Sequence, residues 1–258
     1  IPQARIDDAV KRILTVKYGM GLFDDPMGKN KKREVTDVGS QKYRDIARQL
    51  VEESLVLVKN DGKILPFKKG TNIFVTGPAA DNIGVQCGGW TVQWAGGIDQ
   101  NGQRVTKGTT ILEGLKALSK EYGLNIITDE KDAPKADVTL LCVGEKPYSE
   151  WEGDTKDMSL TGALGLDGSA GSIALAEKLG KPTVTLIVAG REVLINDYIN
   201  NWDSVVMCYL PGSEGQGVAN VLTGKAGFKG KLSMPWYRTL NSIGTDDTLF
   251  EKGFGLSY

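Results

Sequence analysis

The 258-residue sequence contains no histidine. This absence excludes Ser-His-Asp and Cys-His nucleophilic catalysis, and it excludes zinc sites built on imidazole ligands. Acid–base chemistry must therefore come from carboxylates, lysine or tyrosine. Cysteine is also scarce, because the sequence has three, Cys87, Cys142 and Cys208. An odd count argues against a disulfide framework, and the apolar runs around Cys142 and Cys208 are typical of buried free thiols.

The sequence also has little net charge and no long apolar run. Its formal net charge of −1 argues against attraction to nucleic acid or to an acidic membrane surface. No apolar run approaches the ~20 residues that span a bilayer. With 40% hydrophobic and 24% charged residues, the composition is that of a globular protein with one large domain or two small ones. The start at Ile1, without a signal peptide pattern, suggests a segment of a longer protein.

Helical and strand-like patterns alternate along most of the chain. An amphipathic helix is predicted over 4–18, a charged linker follows it, and Ser40 begins a second helix that ends near Ser54. Strands are predicted at 55–58, 72–77, 124–127, 138–143, 183–189 and 204–210, and further helices at 109–121, 168–179, 192–200 and 213–223. Strands separated by single helices predict an α/β fold with a mostly parallel sheet sandwiched between helices.

The most informative segment is a glycine-punctuated acidic loop directly after the strand at 138–143. It contains five carboxylates, Glu145, Glu150, Glu152, Asp154 and Asp157. Ligands of a parallel sheet bind beyond the carboxyl ends of its strands, so catalytic side chains are expected in this loop. Glu150 lies beside Trp151, an apolar neighbour that favours the protonated carboxyl group of a general acid. Glu145 ends the strand and is expected to anchor the loop.

Other interpretations of these loops stay open at this point. The five carboxylates could be solvated surface charge, or they could offer oxygen ligands to calcium, although their spacing matches no EF-hand loop. Trp90 follows Gly88-Gly89 in a second loop, after the strand at 72–77, and its ring suits either the apolar face of a sugar or a core position. The run over 210–217 lacks the glycine order of a nucleotide site, which favours a packing turn.

Ordered segments along the whole chain resemble one enzyme family. They are Ile6-Asp-Asp-Ala-Val-Lys-Arg-Ile-Leu14, Gly19-Met-Gly-Leu-Phe23, Ser54-Leu-Val-Leu-Val-Lys-Asn60, Leu65-Pro66, Gln86-Cys-Gly-Gly-Trp90, Val143-Gly-Glu-Lys-Pro-Tyr-Ser-Glu150, Gly153-Asp154, Leu210-Pro-Gly-Ser-Glu-Gly-Gln-Gly217 and Gly253-Phe-Gly-Leu-Ser-Tyr258. Together they resemble the C-terminal α/β sandwich domain of the family 3 glycoside hydrolases, in the β-glucosidase and β-D-glucan exohydrolase branch.

The resemblance implies a retaining, exo-acting β-glucosidase or exo-β-glucanase whose active site is shared by two domains. An N-terminal (β/α)₈ barrel would carry an Asp nucleophile, and the sandwich would supply the general acid/base. That residue corresponds to Glu150, with Glu145 as the alternative alignment. Trp90 would clamp the leaving-group sugar. Asp154 is a candidate for substrate binding on its own chemistry, because a carboxylate can accept hydrogen bonds from substrate hydroxyls. The implied partners are the barrel and a β-glucoside or β-glucan oligosaccharide, with no cofactor, metal, nucleic acid or membrane.

The resemblance also implies a division of the chain. Residues 1–22 would be the last helix of the barrel, 23–39 a linker, and 40–258 the sandwich. Because the barrel is absent from this sequence, the chain alone is expected to be inactive. The alternatives are a β-xylosidase or another exo-glycosidase of the family, and a non-catalytic carbohydrate-binding domain. A secreted or periplasmic location is favoured over a cytoplasmic one.

Overall fold

The computed structural model describes residues 1–29 and 38–258, which form two compact units, 1–43 and 44–258. In the first unit, helix α1 (Gln3–Gly19) is the predicted amphipathic helix. None of its residues is buried, and the apolar side chains of its stripe are exposed. Much of the predicted linker lies outside the described residues, and the division into 1–22, 23–39 and 40–258 stays a prediction.

The second unit is built on a six-stranded sheet, and helix α2 (Gln41–Ser54) precedes its first strand. The strands are β1 (Val56–Asn60), β2 (Asn72–Thr76), β3 (Asn125–Ile127), β4 (Val138–Gly144), β5 (Thr183–Val188) and β6 (Ser204–Tyr209). Their order in the sheet is β1-β6-β5-β4-β2-β3. β1 pairs with β6 in antiparallel fashion, whereas the other neighbours pair in parallel. The mostly parallel sheet is therefore confirmed, and a strand lies in each predicted segment.

Side chains that alternate along the strands divide the core between the two faces of the sheet. In β4, Leu140 and Cys142 join one apolar cluster, while Leu141 and Val143 join the other. All seven residues of β4 are buried, which requires cover on both faces. Helices α4 (Ile111–Tyr122) and α7 (Gly215–Leu222) contribute to the first cluster, and α6 (Ser169–Leu179) contributes to the second. The predicted sandwich is therefore confirmed.

The cysteines are buried free thiols, as the sequence predicts for Cys142 and Cys208. Burial raises the pKa of both thiols, which keeps them protonated and unreactive. The remaining elements are the short helices α3 (Ile83–Cys87) and α5 (Glu150–Gly153) and a ribbon of β7 (Trp236–Tyr237) and β8 (Thr248–Phe250). No helix in the described part of the chain has both the length and the apolar character needed to cross a membrane.

The prediction of a helix over 192–200 is wrong. The structure has only a short 3₁₀ helix there, over Ile199–Asn201. The segment before it is held by long-range hydrogen bonds instead, because Leu194 N–H donates to the carbonyl of Met158 and Trp236 Nε1 donates to the carbonyl of Val193 at 2.8 Å. Val193 and Ile195 are both fully buried, and their spacing of two suits extended backbone.

Candidate functional site

Adjacent parallel strands place an acidic and a basic side chain together at the carboxyl edge of the sheet. Glu145 directly follows β4, and Arg191 follows β5, its neighbour. Arg191 donates to Oε1 of Glu145 from Nη2 at 2.8 Å and from Nε at 3.1 Å. The Tyr148 hydroxyl donates to the other carboxylate oxygen at 3.1 Å. With a side chain only 2% exposed, Glu145 is a buried anchor whose two oxygens both have partners.

The charges of this anchor are fixed by its surroundings. Burial raises the pKa of Tyr148 to about 12, and the neighbouring Glu145 carboxylate contributes to the rise. For Arg191, burial favours the neutral form, but the hydrogen bonds and charge of Glu145 outweigh it and the pKa is raised. Tyr148 is therefore neutral and Arg191 cationic at physiological pH. The guanidinium also lies 5.0 Å from the centre of the Tyr148 ring, a cation–π contact.

Arg191 also holds the far end of the acidic loop. Its Nη1 donates to the carbonyl oxygen of Gly153 at 2.8 Å, and Gly153 is the last residue of α5. A Cβ on Gly153 would lie 2.7 Å from the Tyr148 ring, so the loop closes tightly over that ring. The loop is thus fixed to one arginine at both ends. Glu150 lies between these points, at the first position of α5, and its side chain is exposed.

The later carboxylates of the loop differ from one another in their contacts. Asp154 follows α5, is exposed, and donates its backbone N–H to the carbonyl of Glu150 at 3.2 Å. Asp157 accepts hydrogen bonds from the Ser159 hydroxyl and from the N–H groups of Ser159 and Ala163. These bonds, led by the Ser159 hydroxyl, lower the pKa of Asp157. Asp157 therefore shapes the following turn, whereas the Asp154 carboxylate faces solvent.

A second loop, over residues 88–97, lies directly on the acidic loop. A Cβ on Gly89 would be only 1.8 Å from the carbonyl oxygen of Tyr148, so only glycine permits this approach. The loop carries Trp90, whose backbone has a φ of 61°, and Trp94. The indole Nε1 of Trp94 donates to Oε2 of Glu150 at 2.9 Å. The loop after α3 (Ile83–Cys87) and the loop after β4 thus meet at Glu150.

Three exposed indoles surround this meeting point, and we call Trp90, Trp94 and Trp151 the tryptophan cluster. Trp94 makes edge contacts with both of the others, at centroid distances of 6.3 Å to Trp90 and 5.3 Å to Trp151. Their exposed fractions are 66%, 47% and 76% in chain order, whereas Trp202 and Trp236 are almost fully buried. Exposed apolar patches are common on binding surfaces, and indole rings suit the apolar faces of sugars.

The surface around the cluster is open in the described part of the chain. A cavity of about 200 Å³ lies between the two loops, and its lining includes Gly89, Trp90, Tyr148 and Leu210. Small-molecule sites are typically ~300–1,000 Å³, so this cavity is too small to enclose a substrate. Among the described residues, no three acidic or thiol side chains are grouped to hold a metal ion. The candidate site is therefore an open surface on which the exposed carboxylate of Glu150 is hydrogen-bonded to the tryptophan cluster.

The structure brings three of the predicted site residues, Trp90, Glu145 and Glu150, into two loops that touch. Asp154 lies in the same loop but makes no side-chain hydrogen bond within residues 1–29 and 38–258. Trp94 and Arg191 were not among the predicted site residues. The sequence offered a signal for both: Trp94 is a second tryptophan four residues after Trp90, and Arg191 directly follows the predicted strand at 183–189.

Comparisons with known proteins show the family of the chain. A family model described as the glycosyl hydrolase family 3 C-terminal domain matches residues 55–258. A lysosomal beta glucosidase of Dictyostelium discoideum is 31% identical over 294 aligned residues, which cover 100% of this chain and 35% of the relative. A beta-xylosidase of Formosa agariphila is 30% identical, with 98% of this chain and 39% of the relative covered.

A solved structure of a similar protein has the same fold as this chain. The exo-1,3/1,4-beta-glucanase of a Pseudoalteromonas species is 35% identical and superposes with a TM-score of 0.83 over 100% of this chain and 34% of that one. This chain therefore spans between a third and two fifths of the length of the relatives described.

Proposed function

The chain belongs to the glycosyl hydrolase family 3 C-terminal domains, and from this premise we propose that it supplies the general acid/base of a retaining, exo-acting β-glucosidase or exo-β-glucanase. The observation that carries the proposal is the exposed carboxylate of Glu150, held by Trp94 on a loop that is fixed at both ends. A barrel domain would complete the site with the nucleophile, since retaining hydrolysis uses two carboxyl groups about 5–5.5 Å apart.

In the proposed reaction, a barrel aspartate attacks C1 of the terminal glucose while Glu150 gives its proton to the glycosidic oxygen. The C1–O bond breaks with its electron pair on the leaving oxygen, and a glucosyl ester with the aspartate remains. Glu150, now a carboxylate, then takes a proton from water as the water oxygen attacks C1 and the ester bond breaks. The product keeps the β configuration because C1 is inverted twice.

Glu145 suits this role less well than Glu150. It is buried, and its two oxygens already accept hydrogen bonds from Arg191 and Tyr148. A general acid must come within hydrogen-bond reach of the leaving oxygen. The hydrogen bonds of Glu145 to Arg191 and Tyr148 would have to break before it could reach that oxygen, whereas the side chain of Glu150 is exposed. We therefore assign to Glu145 the support of the loop and to Glu150 the proton transfer.

Trp90 and Asp154 are proposed to bind the leaving-group sugar. Trp90 is 66% exposed, and its ring contacts Trp94, which donates a hydrogen bond to Glu150. Asp154 is exposed one turn after Glu150, and its carboxylate can accept hydrogen bonds from sugar hydroxyls. Both side chains lie on the same domain as the acid, which is the side from which the leaving oxygen is protonated.

There are two alternatives to the proposed function. One is a β-xylosidase or other exo-glycosidase, and the relative from Formosa agariphila is named as a beta-xylosidase. The pocket for the terminal sugar would lie in the barrel, so this alternative keeps the roles of Glu150 and Trp90. The other is a non-catalytic carbohydrate-binding domain.

We propose a secreted or periplasmic location, since a relative from Salmonella typhimurium, 29% identical to this chain, is named as a periplasmic beta-glucosidase.

The test of the function uses the enzyme in which the barrel is joined to this chain. It should release glucose from aryl β-glucosides and β-glucan oligosaccharides, and NMR of the fresh product should show the β anomer. A faster release of xylose from the matched β-xyloside would support the first alternative. The 258-residue chain alone is the control and should give no turnover above background. Absence of turnover in the joined enzyme, with sugar binding retained, would support the non-catalytic alternative.

We expect Trp90→Ala to weaken the use of substrates whose leaving group is a sugar. Loss of an indole that stacks on a sugar should raise KM for cellobiose or laminaribiose by roughly 5–30-fold, since such aromatic contacts are worth about 1–2 kcal/mol. The KM for an aryl glucoside should change much less because it lacks that sugar. Steady-state kinetics on both substrates measures the difference. Equal changes in KM for both would contradict a role in leaving-group binding.

A further inference from the structure

We propose that Trp94 is a positioning residue for Glu150 and that it selects which carboxyl oxygen delivers the proton. The inference rests on the proposed function, because it takes Glu150 to be the general acid. Its own basis is the hydrogen bond from Trp94 Nε1 to Glu150 Oε2, whose length of 2.9 Å is typical of a good N–H···O bond. The two residues are 56 positions apart in the chain and come together only in the folded domain.

The chemistry of indole gives this hydrogen bond a direction. The N–H group of tryptophan can donate but not accept. Oε2 must therefore present a lone pair to Trp94 whether Glu150 is ionised or protonated. In a protonated carboxyl group the carbonyl oxygen is the better acceptor, so Oε2 takes that role and the proton resides on Oε1. Trp94 thus leaves Oε1 as the oxygen that gives the proton to the leaving group and later takes one from water.

Trp94 can hold Glu150 in place because its own position is well fixed. Its carbonyl oxygen accepts the N–H of Trp90 at 2.9 Å, which closes the loop on itself. Its ring meets the rings of Trp90 and Trp151 edge to face. Glu150 by contrast is exposed and has a flexible side chain. A fixed donor reduces the number of positions that the carboxyl group adopts, and orientation of a reacting group contributes strongly to rate.

The test is Trp94→Phe in the enzyme joined to its barrel. Phenylalanine keeps an aromatic ring in the cluster and removes the N–H donor. For β-glucosides with poor leaving groups, we expect kcat/KM to fall about tenfold, the size expected for a hydrogen bond to a charged group. For a dinitrophenyl glucoside, which scarcely needs protonation, the fall should be less than about twofold. Loss of structure alone would lower both values equally.

A matched control is the same substitution at Trp236, which lies outside the tryptophan cluster. Its indole N–H also donates a hydrogen bond, to the carbonyl of Val193 at 2.8 Å, but makes none to Glu150 in the described part of the chain. Any loss of kcat/KM in Trp236→Phe should be the same for every leaving group, because it would reflect only the stability of the core. A second arm combines Trp94→Phe with Glu150→Ala. If Trp94 acts through Glu150, its replacement should cause no further leaving-group-dependent loss once the carboxylate is gone.

The outcomes separate this inference from the proposed function. Equal losses across the series in Trp94→Phe, or the same tenfold loss in the Glu150→Ala background, would overturn the role of Trp94 while leaving Glu150 as the acid. If Glu150→Ala itself shows neither dependence on the leaving group nor rescue by azide, the proposed function fails first. A steeper leaving-group dependence in Trp94→Phe that vanishes in the double variant supports the inference.

Discussion

Replacement of Glu150 by alanine should lower kcat/KM about 10²–10⁴-fold for β-glucosides with poor leaving groups, the usual size of a general acid–base contribution. Activated aryl glucosides should lose far less in the step that forms the glucosyl ester, because their leaving groups scarcely need a proton. Azide should restore part of the second step, since this anion attacks C1 without a general base. Kinetics of the joined enzyme across a leaving-group series, with and without azide, measures both effects.

Two neighbouring carboxylates provide the controls for this prediction. Glu152 lies on the same short helix, α5, and is exposed, so Glu152→Ala should have little effect on any substrate. Glu145→Ala should loosen the loop and cause a smaller loss without azide rescue, since Glu145 supports the loop through Arg191 and Tyr148. If Glu145→Ala shows azide rescue and Glu150→Ala does not, the acid/base lies at the end of the strand.

Replacement of Arg191 by methionine is expected to lower the free energy of unfolding by about 3–5 kcal/mol, the cost of leaving a buried charge without its partner. The Glu145 side chain is 2% exposed and Arg191 is 19% exposed, so water replaces the lost hydrogen bonds poorly. The carbonyl of Gly153 would lose its donor as well. Urea unfolding followed by circular dichroism measures the change.

Two further variants check that the burial of the pair is the cause. The ion pair of Arg238 with Asp247, at 3.3 Å, is largely exposed, so Arg238→Met should cost less than about 1 kcal/mol. Combining Arg191→Met with Glu145→Gln removes the uncompensated charge and should recover part of the loss. An Arg191→Met variant as stable as the parent, or one no less stable than Arg238→Met, would contradict the structural role of this pair.

The sheet could be predicted because its strands carry their signal locally. Runs such as Thr183–Val188 are short, apolar and rich in branched residues, which is typical of strands buried on both faces. Helix α4 also carries a local signal in the sequence, since Thr110 and Glu113 form a capping box at its start. In these elements the local preference and the tertiary contacts agree. The strand order, with β1 antiparallel at one edge, needed the structure.

The helix predicted over 192–200 failed because its apolar residues serve long-range contacts. Val193 and Ile195 fill the core from extended backbone, and residue 194 pairs with a segment some 35 positions earlier. Neither the ring of Trp236 nor the carbonyl of Met158 can be inferred from the sequence of this segment. Hydrophobic spacing alone therefore favoured a helix that tertiary hydrogen bonds displace.

Only part of the candidate site could be predicted, because some of its contacts join segments that are far apart in the sequence. The acidic loop follows from the rule that ligands bind beyond the carboxyl ends of parallel strands, and the anchoring position of Glu145 follows from its place at the end of the strand. Glu150 was chosen because of its neighbour Trp151 and because of the family resemblance. The hydrogen bond from Trp94 to Glu150 and the contacts of Arg191 join loops that are 56 and 46 residues apart. Such contacts depend on the order of strands β2, β4 and β5 in the sheet. The sequence can show that these side chains are candidates for the site, but it cannot show which of them contact one another.

The attachment of the acidic loop by both ends to Arg191 determines which positions of the loop can vary during evolution. Its fixed points, Glu145 and Gly153, lie outside the exposed tip at residues 151 and 152, so substitutions at the tip leave the fastening intact. Residues 151 and 152 can therefore vary with little effect on stability, whereas any side chain at residue 153 would lie 2.7 Å from the Tyr148 ring.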